Sequence, residues 1–324
     1  MVSQALAVDP KPPPSSPGAL ALGSLRGVGQ VDFQAGVWTC AVIFVGLWVE
    51  GWDIGLFATI GAVVSTLAAR FLAVPHDTLV QGLMTYCGVL GAISIVVYLG
   101  NEVSSYVLAV ATAIMCTLVT ATLNHLLNPF GLRAFTGPFC LVSAVMVLGA
   151  PSFERVWHGT PESAISPAVS DSPDVSWTDL WHGFFSNVSQ IFFVETWYVG
   201  LIMFAGLALA GWKVGLFTAV GSVVGLLTAW ALGAPAALIG EGIYGYNAVL
   251  TSLAFGVVLL RLTSWNVVYT VVAAAASTGL TASLSVLVKT FGSHTFTWPF
   301  NLTTWALLAA VPLLPRITLQ SDGS

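Results

Sequence analysis

Residues 51–64 read GWDIGLFATIGAVV, and residues 211–224 read GWKVGLFTAVGSVV. The correspondence between the two stretches continues over much of the chain. It holds at the same spacing for Gln30/Gln190, Pro75/Pro235, Gly82/Gly242, Tyr86/Tyr246 and Leu90/Leu250, and shifts by one residue for Phe135-Thr136-x-Pro138-Phe139 and Phe296-Thr297-x-Pro299-Phe300. A duplicated hydrophobic bundle is typical of channels and secondary transporters, whose sites lie at the interface between the halves.

The composition excludes an ordinary soluble domain. Charged residues make up 7% of the chain and hydrophobic residues 56%, whereas a soluble domain has about 25% charged residues. Apolar runs at 55–74, 105–123 and 266–288 nearly match the ~20 residues that cross a bilayer. We therefore expect a polytopic membrane protein embedded in lipid. The net charge of −5 argues against a nucleic-acid partner.

The repeat and the apolar runs together define the predicted domain organisation. A disordered tail (1–25) precedes the first transmembrane repeat (26–150), an extracytoplasmic polar linker (151–179) joins it to the second repeat (180–315), and a C-terminal tail (316–324) follows. Each repeat contains five predicted spans: 37–50, 55–74, 82–99, 104–124 and 136–150, then 197–210, 215–233, 242–261, 265–288 and 297–314. An odd number of spans means that the second copy enters the membrane from the opposite side, so we predict inverted repeats.

The positions of the basic residues test this count. With the N-terminus inside, seven of the nine Lys and Arg residues fall on the cytoplasmic side, and Arg155 and Lys289 fall outside. This is the direction that the positive-inside rule requires. We therefore predict that both termini are cytoplasmic.

A shorter segment precedes each set of five spans, at 19–36 and 177–196. Trp177, Leu180, Trp181, Phe184 and Phe185 recur at the spacing of an amphipathic helix lying at the membrane interface. Each segment ends in a phrase too short to span, 30–33 or 190–193. We predict that these phrases are re-entrant half-helices, surrounded by protein or by a water-filled cavity.

The repeated Phe-Thr-x-Pro-Phe phrase opens the last span of each half. Proline has no backbone N–H. If Pro138 and Pro299 lie inside a helix, the carbonyls of Ala134 and Thr295 lose their partners; if they lie in a first turn, the preceding backbone is not helical. Both alternatives place free carbonyls and a threonine hydroxyl at membrane depth, where a polar solute would meet them. A kink repaired by neighbouring helices, with the threonine bonded to its own helix, is the structural alternative.

Other matched pairs add polar and aromatic groups. Gln30 and Gln190 can donate and accept hydrogen bonds, although helix capping would also explain them. Tyr86 and Tyr246 each precede a leucine by four residues and so share a helix face with it. The ionisable residues Asp32 and Glu195 have no acidic counterpart in the other half.

The chain resembles the urea transporter family. The matching phrases are Gly29-Gln30-Val31-x-Phe33, Ser189-Gln190-Ile191-x-Phe193, Gly242-Ile243-Tyr244-Gly245-Tyr246-Asn247-x-x-Leu250 and both Phe-Thr-x-Pro-Phe phrases. Over residues 25–315, the resemblance implies ten helices and two re-entrant half-helices in inverted repeats, and a homotrimer with one pore per subunit. It implies no cofactor and no enzymatic activity. In the first half, Thr85 and Cys87 stand where the family usually has Gly and Asn.

The resemblance also implies a substrate site. It comprises two aromatic slots, with threonines between them and glutamines alongside, formed by Gln30, Val31, Phe33, Tyr86, Leu90, Thr136, Gln190, Ile191, Phe193, Tyr246, Leu250 and Thr297. Such a site would pass urea down its gradient across the plasma membrane. Two transport alternatives remain open: a channel for another small neutral solute, such as ammonia, water or a short amide, and a proton-coupled transporter using Asp32 or Glu195. A membrane enzyme is a third alternative, but the sequence shows no nucleophile, metal-binding set or acid–base pair for it.

Overall fold

The computed structural model describes residues 16–159 and 174–320, and it is helical throughout. The helices are α1 Pro17–Gln30, α2 Val37–Glu50, α3 Trp52–Phe71, α4 His76–Val80, α5 Tyr86–Leu99, α6 Val103–Leu127, α7 Gly137–Gly149, α8 Trp177–Ser189, α9 Trp197–Ala210, α10 Trp212–Ala231, α11 Ala236–Gly240, α12 Tyr246–Leu253, α13 Ser264–Lys289 and α14 Trp298–Ala310. Predictions for residues 1–15, 160–173 and 321–324 lie outside the described residues.

The two halves contain the same series of helices. The lengths of α2 and α9 are 14 and 14 residues, those of α3 and α10 are 20 and 20, and those of α7 and α14 are 13 and 13. One difference lies in α12, which continues as a π-helix over Ala254–Leu259, whereas its counterpart α5 is regular. All ten predicted spans coincide with helices, and the duplication in the sequence is therefore also one of structure.

Length and hydropathy identify the helices that can cross a bilayer. Four are long and apolar enough, at Trp52–Phe71, Val103–Phe130, Trp212–Ala231 and Ser264–Lys289, and a fifth span is possible if the pair Trp177–Phe192 and Trp197–Ala210, bent by 78°, counts as one. The other apolar helices are shorter; α2 and α7, for example, have 14 and 13 residues, or about 20 Å at 1.5 Å per residue. Large apolar side chains are exposed, including Trp38 at 80% and Phe71 at 87%. An apolar outer surface on apolar helices is that of a membrane protein.

The prediction of a disordered tail is wrong for residues 17–25. They belong to α1, which begins at Pro17 with Ser16 as its N-cap, and the Ser16 side chain accepts a hydrogen bond from the Ala19 amide at 3.2 Å. A capping serine followed by proline at the first helical position is a helix start signal. The proline-rich composition of the preceding residues concealed it.

The prediction that the phrases 30–33 and 190–193 are themselves half-helices is also wrong. Gln30 is the last residue of α1, and Gln190–Phe192 is one 3₁₀ turn after α8. The helices lie upstream and end here because Phe33 and Phe193 adopt positive φ angles of 61° and 65°, which an L-residue helix cannot continue. The predicted helix in segment 177–196 is confirmed as far as Ser189.

The halves meet where small residues allow close packing. α2 packs against α9, and a β-carbon added to Gly206 would lie 3.0 Å from Cγ1 of Val42, while one added to Gly46 would lie 3.4 Å from Cγ of Met203. Glycines at matching places let helix backbones approach closely in a membrane. The short helices α7 and α14, the last α-helix of each half, also contact one another.

Candidate functional site

α7 and α14 begin face to face. Pro138 and Pro299 lie in the first turn of these helices, with Thr136 and Thr297 as the N-cap residues. Neither threonine side chain caps its own helix. Instead, the two Oγ1 atoms lie 2.6 Å apart, joining the halves through a hydrogen bond. The first-turn alternative for the prolines is therefore the one observed, and the threonines are not bonded to their own helices.

The backbone just before each threonine is strained. Phe135 and Phe296 have φ angles of 45° and 46°, in the left-handed region that phenylalanine rarely adopts. Together with Phe33 and Phe193, these are four of the five positive-φ non-glycine residues among the described residues. Such outliers persist where the surrounding structure requires them and cluster at functional sites.

Two clusters of phenylalanine rings flank the threonine pair. Phe33, Phe135 and Phe300 form one cluster, with ring centroids 5.5–6.3 Å apart. The second cluster is its counterpart in the other half, with centroids 5.3–6.2 Å apart, and consists of Phe193, Phe296 and Phe139. Each cluster includes one ring from the opposite half: Phe300 in the first cluster and Phe139 in the second. Of these six, only Phe33 and Phe193 were predicted site residues; the repeated Phe-Thr-x-Pro-Phe phrase was the signal for the other four.

The carbonyls predicted to be free have partners. The Ala134 and Thr295 carbonyls accept from the amides of Gly137 and Trp298, at 3.0 and 3.3 Å. The carbonyls next along the chain are bonded to tyrosines. Tyr86 donates to the Phe135 carbonyl at 2.7 Å, and Tyr246 donates to the Phe296 carbonyl. Because a carbonyl oxygen has two lone pairs, the Phe296 oxygen can still accept a second hydrogen bond, whereas the Phe135 oxygen also accepts from the Cys87 thiol.

The substitution of Cys87 for the usual asparagine is accommodated locally. In the second half, Oδ1 of Asn247 accepts from the Phe300 amide at 3.3 Å and its Nδ2 donates to Thr281 at 3.2 Å. In the first half, the Cys87 thiol donates to the Phe135 carbonyl at 3.4 Å. Both residues thus tie the helix carrying the tyrosine to the segment around the threonine.

A cavity of about 830 Å³ opens on one side of the threonine pair. Five predicted site residues line it, namely Gln190, Ile191, Phe193, Tyr246 and Thr297. Its lining also includes the end of α5, the start of α3 and the segment 293–296. Five of the twelve predicted residues, all from the second half of the chain, therefore line one cavity, which reaches Thr297 of the threonine pair.

The remaining predicted residues lie elsewhere. Thr136 is buried against Thr297, and Phe33 packs in its ring cluster. The other side chains do not line this cavity: Gln30 donates to the Gln81 carbonyl at 2.9 Å, Tyr86 bonds to Phe135, and Val31, Leu90 and Leu250 lie in the apolar core. The leucines are fully buried, at 0% exposure.

The cavity wall contains an aromatic pair that the sequence analysis missed. The imidazole of His294 stacks on the ring of Tyr98 with centroids 3.7 Å apart, and Tyr98 contacts Phe193 and Phe296 edge to face, both at 5.7 Å. Burial lowers the pKa of His294 to about 4. A neutral imidazole therefore lines the cavity at ordinary pH. No repeat signal marks this pair, because its counterparts in the other half, Val258 and Arg133, differ in chemistry.

Charged side chains stand at the outer part of the same cavity. Glu50, Asp53, Glu195 and Lys289 are among its lining residues. The pKa of Glu195 is raised, first by desolvation and second by the neighbouring Glu50 carboxylate. The polar rim is thus net acidic, whereas the floor is aromatic and neutral.

Comparison with known proteins finds relatives that match nearly the whole chain. The family model described as "UT: Urea transporter" matches residues 22–312. Urea transporter 1 of sheep (Ovis aries) is 30% identical over 302 residues, which are 90% of this chain and 77% of the sheep protein. Urea transporter 1 of goat (Capra hircus) and mouse (Mus musculus) are 29% and 28% identical over the same shares of each chain. The chain therefore belongs to the urea transporter family.

Proposed function

We propose that this chain conducts urea passively through a narrow pore between its two halves, which passes the paired hydroxyls of Thr136 and Thr297. Because the family is one of transporters, the chain is not an enzyme. The observation that carries the proposal is the 2.6 Å contact between these hydroxyls, which lies between two matching phenylalanine clusters and at the end of a cavity.

Urea is small, flat, neutral and rich in N–H donors. The two ring clusters offer flat apolar walls, and the two hydroxyls and the Phe296 carbonyl offer oxygen acceptors at the centre. Acceptors in series replace the water that urea sheds, and because each hydrogen bond is weak, no position retains the solute. Transport of this kind runs down the gradient.

The helix ends at the centre oppose the passage of cations. α7 and α14 both begin at the threonine pair, so that two helix N-termini point toward one another. A helix N-terminus carries roughly half a positive charge. Ammonium and other cations would meet a positive potential here, whereas neutral urea would not. This potential favours the passage of a neutral solute over that of a cation, and it argues against a mechanism that couples transport to protons.

Ten of the twelve predicted site residues divide between the two sides of the centre, and the other two, Thr136 and Thr297, form the centre itself. In the proposal, Phe193, Tyr246 and Leu250 form the outer slot, with Gln190 and Ile191 alongside. Phe33, Tyr86 and Leu90 form the inner slot, with Gln30 and Val31 alongside. The cavity that reaches the first group supports the outer slot. Because the leucines are buried and the hydroxyls touch, we propose that the slots widen as urea enters.

The assembly and orientation belong to the same proposal. The chain would cross the plasma membrane ten times in two inverted repeats, with both termini cytoplasmic, and would form a homotrimer with one pore per subunit. The matching helix lengths of the halves and the distribution of Lys and Arg support this arrangement. On this orientation, the 830 Å³ cavity opens to the outside.

Urea flux into proteoliposomes tests the proposal. We expect urea permeability above that of protein-free liposomes, with and without a pH gradient. Thr136→Val and Thr297→Val each remove one hydroxyl and should lower the flux roughly fivefold or more, since one hydrogen bond contributes about 1 kcal/mol. Thr218→Val is the matched control, because the Thr218 hydroxyl bonds only to the Val214 carbonyl of its own helix. Unchanged flux in both pore variants would remove the threonines from the path, and flux that depends on the pH gradient would indicate proton coupling.

A further inference from the structure

We infer that Asn301 is a positioning residue that sets the direction of the hydrogen bonds in the threonine pair, so that the pair presents oxygen lone pairs to the passing solute. The inference deepens the proposed urea pore and rests on it. Asn301 is fully buried and lies one helical turn after Thr297, on α14. In the other half, its place is taken by Cys140.

The orientation of the Asn301 amide is fixed by its neighbours. Nδ2 lies 2.8 Å from the Thr297 carbonyl and 3.0 Å from Oγ1 of Thr136. A carbonyl oxygen only accepts hydrogen bonds, so the atom facing it is the NH₂ group, which has two hydrogens to donate. The second hydrogen goes to Oγ1 of Thr136, because the other acceptor within reach, the Cys140 sulfur, lies farther away at 3.6 Å and is weaker. The Thr136 hydroxyl therefore accepts on this side.

The direction of the remaining bonds follows. A hydroxyl has one proton and two acceptor positions. Oγ1 of Thr136 has one other partner among the described residues, Oγ1 of Thr297. If Thr297 donated this bond, the buried Thr136 proton would have no acceptor in the protein, at a cost of about 1–3 kcal/mol. Thr136 therefore donates to Thr297.

The chain of bonds ends at Cys140, in the other half. The Cys140 sulfur lies 3.1 Å from Oγ1 of Thr297 and accepts its proton as a weak terminal acceptor. The order of donation is thus Asn301 to Thr136, Thr136 to Thr297 and Thr297 to Cys140. Both hydroxyl protons are used within the protein, and each oxygen keeps one lone pair. Oδ1 of Asn301, which is buried and has no hydrogen-bond partner within residues 16–159 and 174–320, is one further acceptor beside the pair.

This arrangement gives the two halves unequal roles. An asparagine begins the chain of bonds and a cysteine ends it, at positions equivalent in the repeat. If position 140 also carried an amide donor, the hydroxyls of Thr136 and Thr297 would both accept a hydrogen bond from an amide. One of the two hydroxyl protons would then have no acceptor in the protein and would face the pore. The amide on one side alone makes the centre an acceptor, which suits a solute whose edges carry N–H groups.

A set of variants in proteoliposomes tests the inference through urea flux. Asn301→Ala removes both donors and should lower urea permeability roughly fivefold or more. Asn266→Ala is the control and should change it less than about twofold, because Asn266 is also a buried asparagine but its Nδ2 donates to the Arg261 and Thr318 carbonyls, away from the threonine pair. In a Thr136→Val background, which has no hydroxyl to orient, adding Asn301→Ala should cause no further loss. Asn301→Asp, which keeps the shape of the side chain, gives the same comparison if the alanine variant does not fold.

The double variant distinguishes positioning from packing. A packing defect at Asn301 would lower the flux whichever residue stands at 136, and losses that multiply in the double variant would therefore overturn the inference. Normal flux in Asn301→Ala would also overturn it. If the unmodified protein gives no urea flux above that of protein-free liposomes, the proposed pore itself is wrong. If the unmodified protein conducts urea and Asn301→Ala conducts it equally well, only the role of Asn301 is wrong.

Discussion

The side chain of Thr85 occupies the space beside Gly27 that any larger residue at position 27 would need. A β-carbon added to Gly27 would overlap with Cβ and Cγ2 of Thr85. In the second half, the sizes are exchanged: Asn187 stands in place of the glycine and Gly245 in place of the threonine, and a β-carbon on Gly245 would overlap with the Asn187 amide. The unusual threonine in the first repeat is thus matched by a glycine on the facing helix α1.

This exchange predicts that the two positions are coupled in stability. Gly27→Asn alone should lower the free energy of unfolding by about 1–3 kcal/mol, since it overpacks the contact with Thr85. The double variant Gly27→Asn/Thr85→Gly should recover part of the loss. Adding Ala62→Ser should recover more, because Ser222, the counterpart of Ala62, accepts from Nδ2 of Asn187 at 3.0 Å. Thermal unfolding in detergent measures this; equal losses in the single and double variants would contradict it.

The proposed slots predict a change in solute selectivity. Leu250→Ala and Leu90→Ala should raise the flux of N-methylurea relative to urea by roughly tenfold, because a removed side chain makes room for a methyl group. Leu253→Ala is the control, since Leu253 is also fully buried on α12 but is not a slot residue. All of these changes cost about 2–5 kcal/mol as core truncations, and only the ratio of fluxes is diagnostic. The same ratio in all variants would argue against the slots.

The stacked histidine predicts how the outer cavity responds to acid. Burial lowers the pKa of His294 to about 4, below the ordinary 6.5. The imidazole is therefore neutral from about pH 8 to about pH 5.5 and becomes a cation only as the pH falls toward 4. The ratio of urea flux in the unmodified protein to that in His294→Gln should be constant over the first range and change below it. A change centred near pH 6.5 would mean that the imidazole is solvated and does not stack on Tyr98.

A carboxyl group outside the spans predicts a pH dependence of stability. Burial, and second the Glu195 carboxylate, raise the pKa of Glu241 from 4.5 to about 7. A raised pKa means that the folded state holds the proton more tightly than the unfolded state, so the stabilisation is complete below pH 4.5 and is lost as the pH rises through 7. Glu241→Gln should raise the thermal midpoint at pH 8 and leave it nearly unchanged at pH 4. Glu102→Gln, at an exposed position, is the control; an equal shift for both variants would contradict the prediction.

The local sequence determined the helices, and the repeat determined which residues correspond. Apolar runs of bilayer length predicted α3, α6, α10 and α13, since such runs have few stable alternatives in lipid. The doubled Phe-Thr-x-Pro-Phe phrase drew attention to Thr136 and Thr297. The start of α1 at Pro17 was missed because proline-rich composition outweighed a local capping signal.

Contacts between the halves depended on the tertiary structure. Thr136 and Thr297 are 161 residues apart in the chain, and they meet because α7 and α14 contact one another in the folded protein. The stack of His294 on Tyr98 and the donation from Asn301 to Thr136 arise in the same way. Hydrophobicity and repetition are properties of each segment, whereas the direction of a hydrogen bond depends on which atoms meet. The amino-acid sequence by itself therefore determined a duplicated membrane protein with two matched sets of residues, and the packing of one half against the other decided which of those residues touch.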